Sequence, residues 1–250
     1  MFTRFKTSPI NLFFLILSFS VVSQSQNMYQ SGTKQTHLLE LFSTQSCSSC
    51  PPAQAKVNGL KGHRQLWKSF IPVVFHVDYW DYLGWKDPYS KESFSDRQRR
   101  YVRQWSADTA YTPMFVVDGE ERRRRNINDV IRYGANVGVL KVETKKGGKF
   151  TATYQPIDPP RDSLYINYAI LGGGISTDVT AGENTGKTLN HEFLVLKYGN
   201  LPLQKLQNTF TASFQLNTDT AKIAPSKSLV FWVTAGTDQT PIQTTGGQLQ

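Results

Sequence analysis

Thr36-His37-Leu38-Leu39-Glu40-Leu41-Phe42, followed four residues later by Cys47-Ser48-Ser49-Cys50-Pro51-Pro52, is the stretch on which the reading of this chain turns. Cys47 and Cys50 are its only cysteines, so disulfides cannot be a general scaffold. Two intervening residues make a small-ring disulfide that opens and closes readily when it begins a helix. The apolar run before the pair reads as a short buried strand. Residues 53–60 read as a helix with Ala53, Val57 and Leu60 on one face.

Strand, CxxC and helix in that order is the thioredoxin arrangement, although a CxxC alone is ambiguous. A zinc site needs two further ligands, and there is no second CxxC. His37, His63, His76 and His191 are scattered rather than set at metal-ligand spacing. An inert structural disulfide is the other rival, but a two-residue spacing suits redox exchange better than stapling. The preferred reading is a thiol–disulfide redox site.

The N-terminus carries the pattern of a secretion signal. Arg4 and Lys6 precede an apolar run over 12–22, and Ser23-Gln24-Ser25 supplies small residues for cleavage. The run is short for a membrane span, though uncut it would serve as an anchor. No cysteine follows it before Cys47, which argues against lipid attachment there. Export places the pair in an oxidising or redox-managed compartment, periplasmic or extracellular. The formal charge is +9, and losing Arg4 and Lys6 with the leader leaves +7. Arg97, Arg99, Arg100, Arg103 and the run Arg122–Arg125 account for much of it. We read these as solvated surface rather than a nucleic-acid site, since no binding motif accompanies them.

Length and a composition shift near Asn136 predict a leader (1–25), a thioredoxin-like α/β domain (26–136) and an all-β, sandwich-like domain (137–250). In the first domain, 70–77 reads as a strand and 78–89 as an aromatic loop. Ser90 reads as the N-cap of a helix bearing Phe94, Tyr101, Val102 and Trp105 at helical spacing. Tyr111-Thr112-Pro113-Met114-Phe115-Val116-Val117 reads as a proline-led strand before an Asp118-Gly119 turn. Asp87-Pro88 reads as a turn signal, and 128–133 as a closing helix. In the second domain, strand-like runs at 139–144, 150–154, 164–171, 175–180, 192–198, 209–216 and 229–235, with a last one from Ile242, predict a sandwich.

The chemistry follows from these placements. Cys47 is the candidate nucleophile, at a helix N-terminus that favours thiolate, and Cys50 the resolving thiol one turn inward. The thioredoxin arrangement implies a cis Thr112–Pro113 bond packed beside the sulfurs, and a buried acid near Glu40. The rival readings are an ordinary strand-edge proline and an exposed strand-face carboxylate. Ser48 and Ser49 are candidate hydrogen-bond donors to the thiolate. His76 and Asp78 stand at the C-terminal end of the second strand, the edge where sites gather in such sheets, as candidate acid–base or tuning groups. A packed aromatic loop is the plainer account of them.

Four segments resemble the secreted thioredoxin-like family called domain of unknown function 1223. They are residues 39–52; Phe75-His76-Val77-Asp78-Tyr79-Trp80-Asp81-Tyr82-Leu83-Gly84-Trp85-Lys86-Asp87-Pro88; Tyr111-Thr112-Pro113 with Val116-Val117-Asp118-Gly119; and Gly182-Glu183-Asn184-Thr185-Gly186-Lys187-Thr188-Leu189-Asn190-His191. Ser46, where a glycine is expected, and the Arg122–Arg125 run depart from the pattern. The resemblance implies a bacterial exported protein with a thioredoxin fold and an appended β domain. The last segment reads as a well-formed turn between strands, or more sharply as a contact surface against the first domain or a lip of the redox site.

The function expected from sequence is therefore an exported thiol–disulfide oxidoreductase acting on a protein dithiol or disulfide, or on a small thiol. It is expected to need no cofactor, metal or nucleic acid and to have no membrane span once the leader is cleaved. One rival is a β-sandwich binding module with a structural disulfide. The other is a copper-handling protein using Cys47, Cys50 and His76, which only Met28 and Met114 would supplement after leader removal.

Overall fold

The computed structural model describes residues 28–122, 134–219 and 224–249. The expected leader, Arg123 to Arg125 and the expected helix at 128–133 lie outside them. In the first half, β1 (Met28–Gln30), β2 (His37–Ser43), α1 (Cys50–Asn58), β3 (Phe70–His76), α2 (Glu92–Gln104), β4 (Met114–Val117) and β5 (Glu120–Glu121) follow in order. The second half holds β6 (Gly138–Lys145), β7 (Lys149–Pro156), β8 (Leu164–Gly173), β9 (Ile175–Asp178), β10 (Thr188–His191) and β11 (Leu194–Pro202). It ends with β12 (Gln204–Leu206), β13 (Thr209–Gln215), β14 (Ser226–Ala235) and β15 (Gln243–Gln248).

The expected α/β thioredoxin-like domain followed by a separate sandwich is not what the chain forms. Two α-helices accompany fifteen strands among the described residues, so the protein is mostly β. One eight-stranded sheet, ordered β15-β14-β8-β11-β3-β2-β4-β5, takes four strands from each side of position 136. The join is β11 against β3, parallel, at Leu194 and Val74. Periodicity along the chain reports which face of a strand is buried but not which strand lies beside it, and this pairing decided the architecture.

The first half contributes parallel β2 and β3 and antiparallel β4 and β5. The Asp118-Gly119 turn closes the last hairpin with φ of 48° and 81°, the left-handed pair that a two-residue hairpin requires. A second, antiparallel sheet, β1-β6-β7-β13-β12, packs over the C-terminal strands of the first. Alternation in β14 shows the layering: Leu229, Phe231 and Val233 face the second sheet, while Val230 and Trp232 face the core under the helices. Helix α2 starts at Glu92 with Lys91 at its N-cap, not Ser90, whose hydroxyl turns back to share its proton between Asp81 Oδ2 and the Asp87 carbonyl, each at 2.9 Å.

One charged contact fastens the layers. Arg97 of α2 is fully buried and grips Glu40 of β2 with two donors, Nε at 2.6 Å and Nη2 at 2.9 Å. Its guanidinium lies 5.2–5.5 Å from the rings of Phe75, Tyr101, Tyr198 and Trp232. Nη1 donates to Gln239 and to the Tyr198 hydroxyl. Removing one partner of such a pair strands the other in the core, at a cost of about 3 to 5 kcal/mol. Arg97→Met therefore lowers stability by that order in urea unfolding, and Glu40→Leu/Arg97→Met together restore much of it. A single variant as stable as the wild type would contradict this account.

Candidate functional site

Strand β2 ends at Ser43, and the turn over 44–49 delivers both cysteines to the start of α1. Pro51 and Pro52 occupy the first helical turn, where a missing N–H costs nothing. Ser49 stands at the N-cap without capping, and its hydroxyl lies 3.1 Å from Cys47 Sγ instead. The two sulfurs are not bridged; Cys47 is 8 % exposed and Cys50 1 %. The Cys50 thiol pulls the Cys47 pKa down to about 5, assisted by the Ser49 hydroxyl and amide and opposed by burial. The same contact, with burial, pushes Cys50 far above the ordinary thiol range, and the Ser43 hydroxyl offsets a little of that. A stabilised thiolate thus sits beside a buried thiol that keeps its proton.

The Thr112–Pro113 bond is cis, and the Thr112 carbonyl lies 3.9 Å from Cys47 Sγ. The Thr112 hydroxyl stands beside both sulfurs without completing a hydrogen bond. An open groove lined by Thr109, Tyr111, Pro113, Phe115 and Arg122 runs along this loop. Behind it, the Tyr79 hydroxyl donates to Gln98, which donates in turn to the Tyr111 carbonyl.

The remaining sequence candidates divide. Glu40 is held by Arg97 and by the Tyr101 hydroxyl at 2.5 Å, so its carboxylate serves the core rather than the sulfurs. Asp78 accepts from the Ser95 hydroxyl of α2 at 2.5 Å. His76 is buried, with Nδ1 2.7 Å from Asp87 Oδ2 and out of line for a hydrogen bond. It lies opposite Ser43 in the β2–β3 register, and Ser43 reaches Cys50.

Sequence reasoning passed over the residues that shape the cysteine turn. Asp87, read above as a turn signal, is buried and accepts from the Thr44 hydroxyl, the Gln45 amide and the Tyr89 amide. Burial alone would raise its pKa, but the His76 charge and these donors hold it at about 2. From the second half, Asn184 Nδ2 donates to the carbonyls of Gln45 and Cys47, at 2.8 and 3.0 Å. Glu183 accepts the Ser48 N–H at 2.8 Å. Gly182 permits this seat: its φ is +72°, and a Cβ there would stand 3.0 Å from the Trp85 side chain. The quoted motif at 182–191 was the available signal, and the sharper of its two readings matches the contact.

His191 completes the group. Trp85 Nε1–H donates to Gln45 Oε1, so the other amide atom is NH2 and donates to His191 Nε2 at 2.9 Å. The imidazole proton therefore resides on Nδ1. Burial and the neighbouring His76 push the His191 pKa down to about 3. Among the described residues, no cluster of three or more His, Cys, Asp or Glu is arranged to hold a metal ion, and no helix is long and apolar enough to cross a membrane.

A family model described as "Protein of unknown function (DUF1223)" matches residues 38–234. A crystal structure of a protein from Agrobacterium tumefaciens resembles this fold with a TM-score of 0.60 at 19 % identity, covering 86 % of this chain and 94 % of that one. HBP35 of Porphyromonas gingivalis resembles it with a TM-score of 0.62 at 14 % identity, covering 88 % and 76 %. These likenesses concern the fold alone. No curated protein matches the sequence.

Two outcomes follow from the titrations. Alkylation of the reduced protein modifies Cys47 with a midpoint near pH 5 and spares Cys50, read by peptide mass spectrometry; faster modification of Cys50 would reverse the assignment. Apart from the Cys47 thiolate, two buried groups make stability fall on acidification. The unfolded chain protonates histidine near 6.5 while folded His191 resists to about 3, so stability present at neutral pH is lost below 6.5, by about 2 kcal/mol at about pH 5. Asp87, ordinarily 3.8 but held at about 2, adds a further loss below 3.8. Urea midpoints of wild type and His191→Phe at neutral and mildly acid pH check this, the variant showing the shallower fall.

Proposed function

The chain belongs to the DUF1223 family of proteins of unknown function, and we propose that it is an exported thiol–disulfide oxidoreductase working through Cys47 and Cys50. The observation that carries this reading is the division of labour in the pair. One sulfur is favoured as thiolate at about 5 and lies 3.9 Å from the Thr112 carbonyl of the cis-proline loop, while its neighbour is more deeply buried and retains its proton. A structural pair has no need of that difference; an exchanging pair depends on it.

Cys47 thiolate attacks a partner disulfide, forming a mixed disulfide and expelling one partner thiolate. Cys50 then loses its proton and attacks Cys47 sulfur. The Cys47–Cys50 disulfide forms, the bond to the partner breaks, and its electron pair leaves on the second thiolate. The protein is oxidised by two electrons and the partner reduced by two; the reverse sequence oxidises a partner dithiol. The substrate class is a protein dithiol or disulfide, or a small thiol, approaching along the Thr112–Pro113 loop. Export rests on Arg4, Lys6 and the apolar run at 12–22, and it would bring the pair to a compartment where such exchange has substrates.

An aromatic nitrobenzoate disulfide with a coloured leaving thiolate tests the reading. Reduced wild type is expected to release two equivalents of coloured thiolate per chain. Cys50→Ser releases one and remains a trapped mixed disulfide by mass, and Cys47→Ser releases none at a comparable rate. A Cys47→Ser protein that reacts as fast as wild type would end the proposal.

A further inference from the structure

Cys50 also borders a cavity of about 240 Å³ between α1 and β10, lined with Ser43, Gln54, Asn58 and His191. Exposed Ala55 and Asn190 stand at its rim, so it opens to solvent. Two of the lining residues each carry a buried polar atom without a hydrogen-bond partner among the described residues: His191 Nδ1 and Gln54 Oε1. The first carries the imidazole proton, by the tautomer argument above. The second is an acceptor, because Gln54 Nε2 donates to Asn58 Oδ1 at 2.8 Å and to the Glu192 carbonyl at 3.3 Å. A buried polar group left unpaired is costly, and a polar space of this size accommodates water that removes the cost.

The resolving step needs such a place. Cys50 is 1 % exposed and must lose a proton before it attacks. Ser43 is no base at neutral pH, and Glu40 is committed to Arg97. Of the titratable groups around His191, His76 lies with its ring 5.0 Å away and Tyr89 with its ring 6.2 Å away, and Asp87 stands beside His76. The cavity is the solvent-connected space that touches the thiol on this side.

We propose that this cavity is the proton port of Cys50, in which water held between His191 Nδ1–H and Gln54 Oε1 takes the thiol proton as Cys50 attacks. His191 is then a positioning residue for the resolving step, supplied by the second half of the chain. The inference rests on the dithiol-exchange reading. In the step, the Cys50 proton passes to cavity water and on to solvent, the Cys50–Cys47 bond forms, and the partner sulfur departs with the electron pair of the broken bond.

Stopped-flow reaction of the full chain with the nitrobenzoate disulfide separates the two steps as two phases of coloured thiolate. In His191→Ala the first phase keeps the wild-type rate. The second slows about tenfold, short of the hundredfold or more that loss of a direct proton-transfer group costs; imidazole added to the buffer restores it. Gln54→Met slows the second phase in the same sense, and carries the test if His191→Ala does not fold, as melting curves of each variant report. An unchanged second phase in a folded variant, or equal slowing of both phases, overturns the inference while leaving the exchange reading intact. A wild-type protein that releases one equivalent only ends both.

Discussion

A guanidinium with no exposed surface sits at the centre of this protein, and the layers close around it. Burial by itself would discourage the charge on Arg97, but the Glu40 carboxylate holds it firmly. The cage gathers Phe75 from β3, Tyr198 from β11 and Trp232 from β14 beside Tyr101 of its own helix. These strands come from both halves of the chain. An Arg97–Glu40 pair therefore forms in low dielectric only when the eight-stranded sheet is complete and α2 lies on it. Its geometric demand for a two-pronged match fixes the helix against the sheet more narrowly than apolar packing would.

The cysteine turn inherits that arrangement. Its carbonyls are held by Asn184 and its Ser48 amide by Glu183, both from the second half, while Asp87 braces its start from the first. The dithiol is thus built at a meeting of segments far apart in sequence. Asp87 and His191 show how closely charge is balanced there: the carboxylate stays ionised beside His76, and His191 stays neutral. The proposed exchange chemistry draws on the same balance, with a stabilised thiolate outward and a protonated thiol inward.

Local elements were legible because their signals are local. The apolar runs of β2 and β3, the amphipathic spacing of α2 and the Asp118-Gly119 turn each depend on residues within a few positions. Gly147-Gly148 likewise turns β6 into β7, with φ of 76° and 70°. The pairing of β11 with β3 left no such trace, so the division into two folds drawn from composition failed. Glu40 shows the same limit on a single residue. An acid in an apolar strand reads equally as buried or exposed, and that an arginine rather than a thiol answers it depends on α2, some fifty residues away.

Two cysteines three positions apart, a proline-led strand and the absence of any other cysteine were enough to single out Cys47, Cys50 and Pro113, because the chemistry of such a pair is written in its spacing. The sequence by itself also marked the apolar runs of β2 and β3, which are buried along their whole length. Tertiary structure alone decided the rest. Asp87 and His191 became neighbours of the dithiol, Glu183 and Asn184 its clasp, and Glu40 a core anchor, through contacts that close only when distant strands pair. Hydrogen bonds and ion pairs of that kind depend on separations of a few ångströms in space, and distance along the chain carries no record of them.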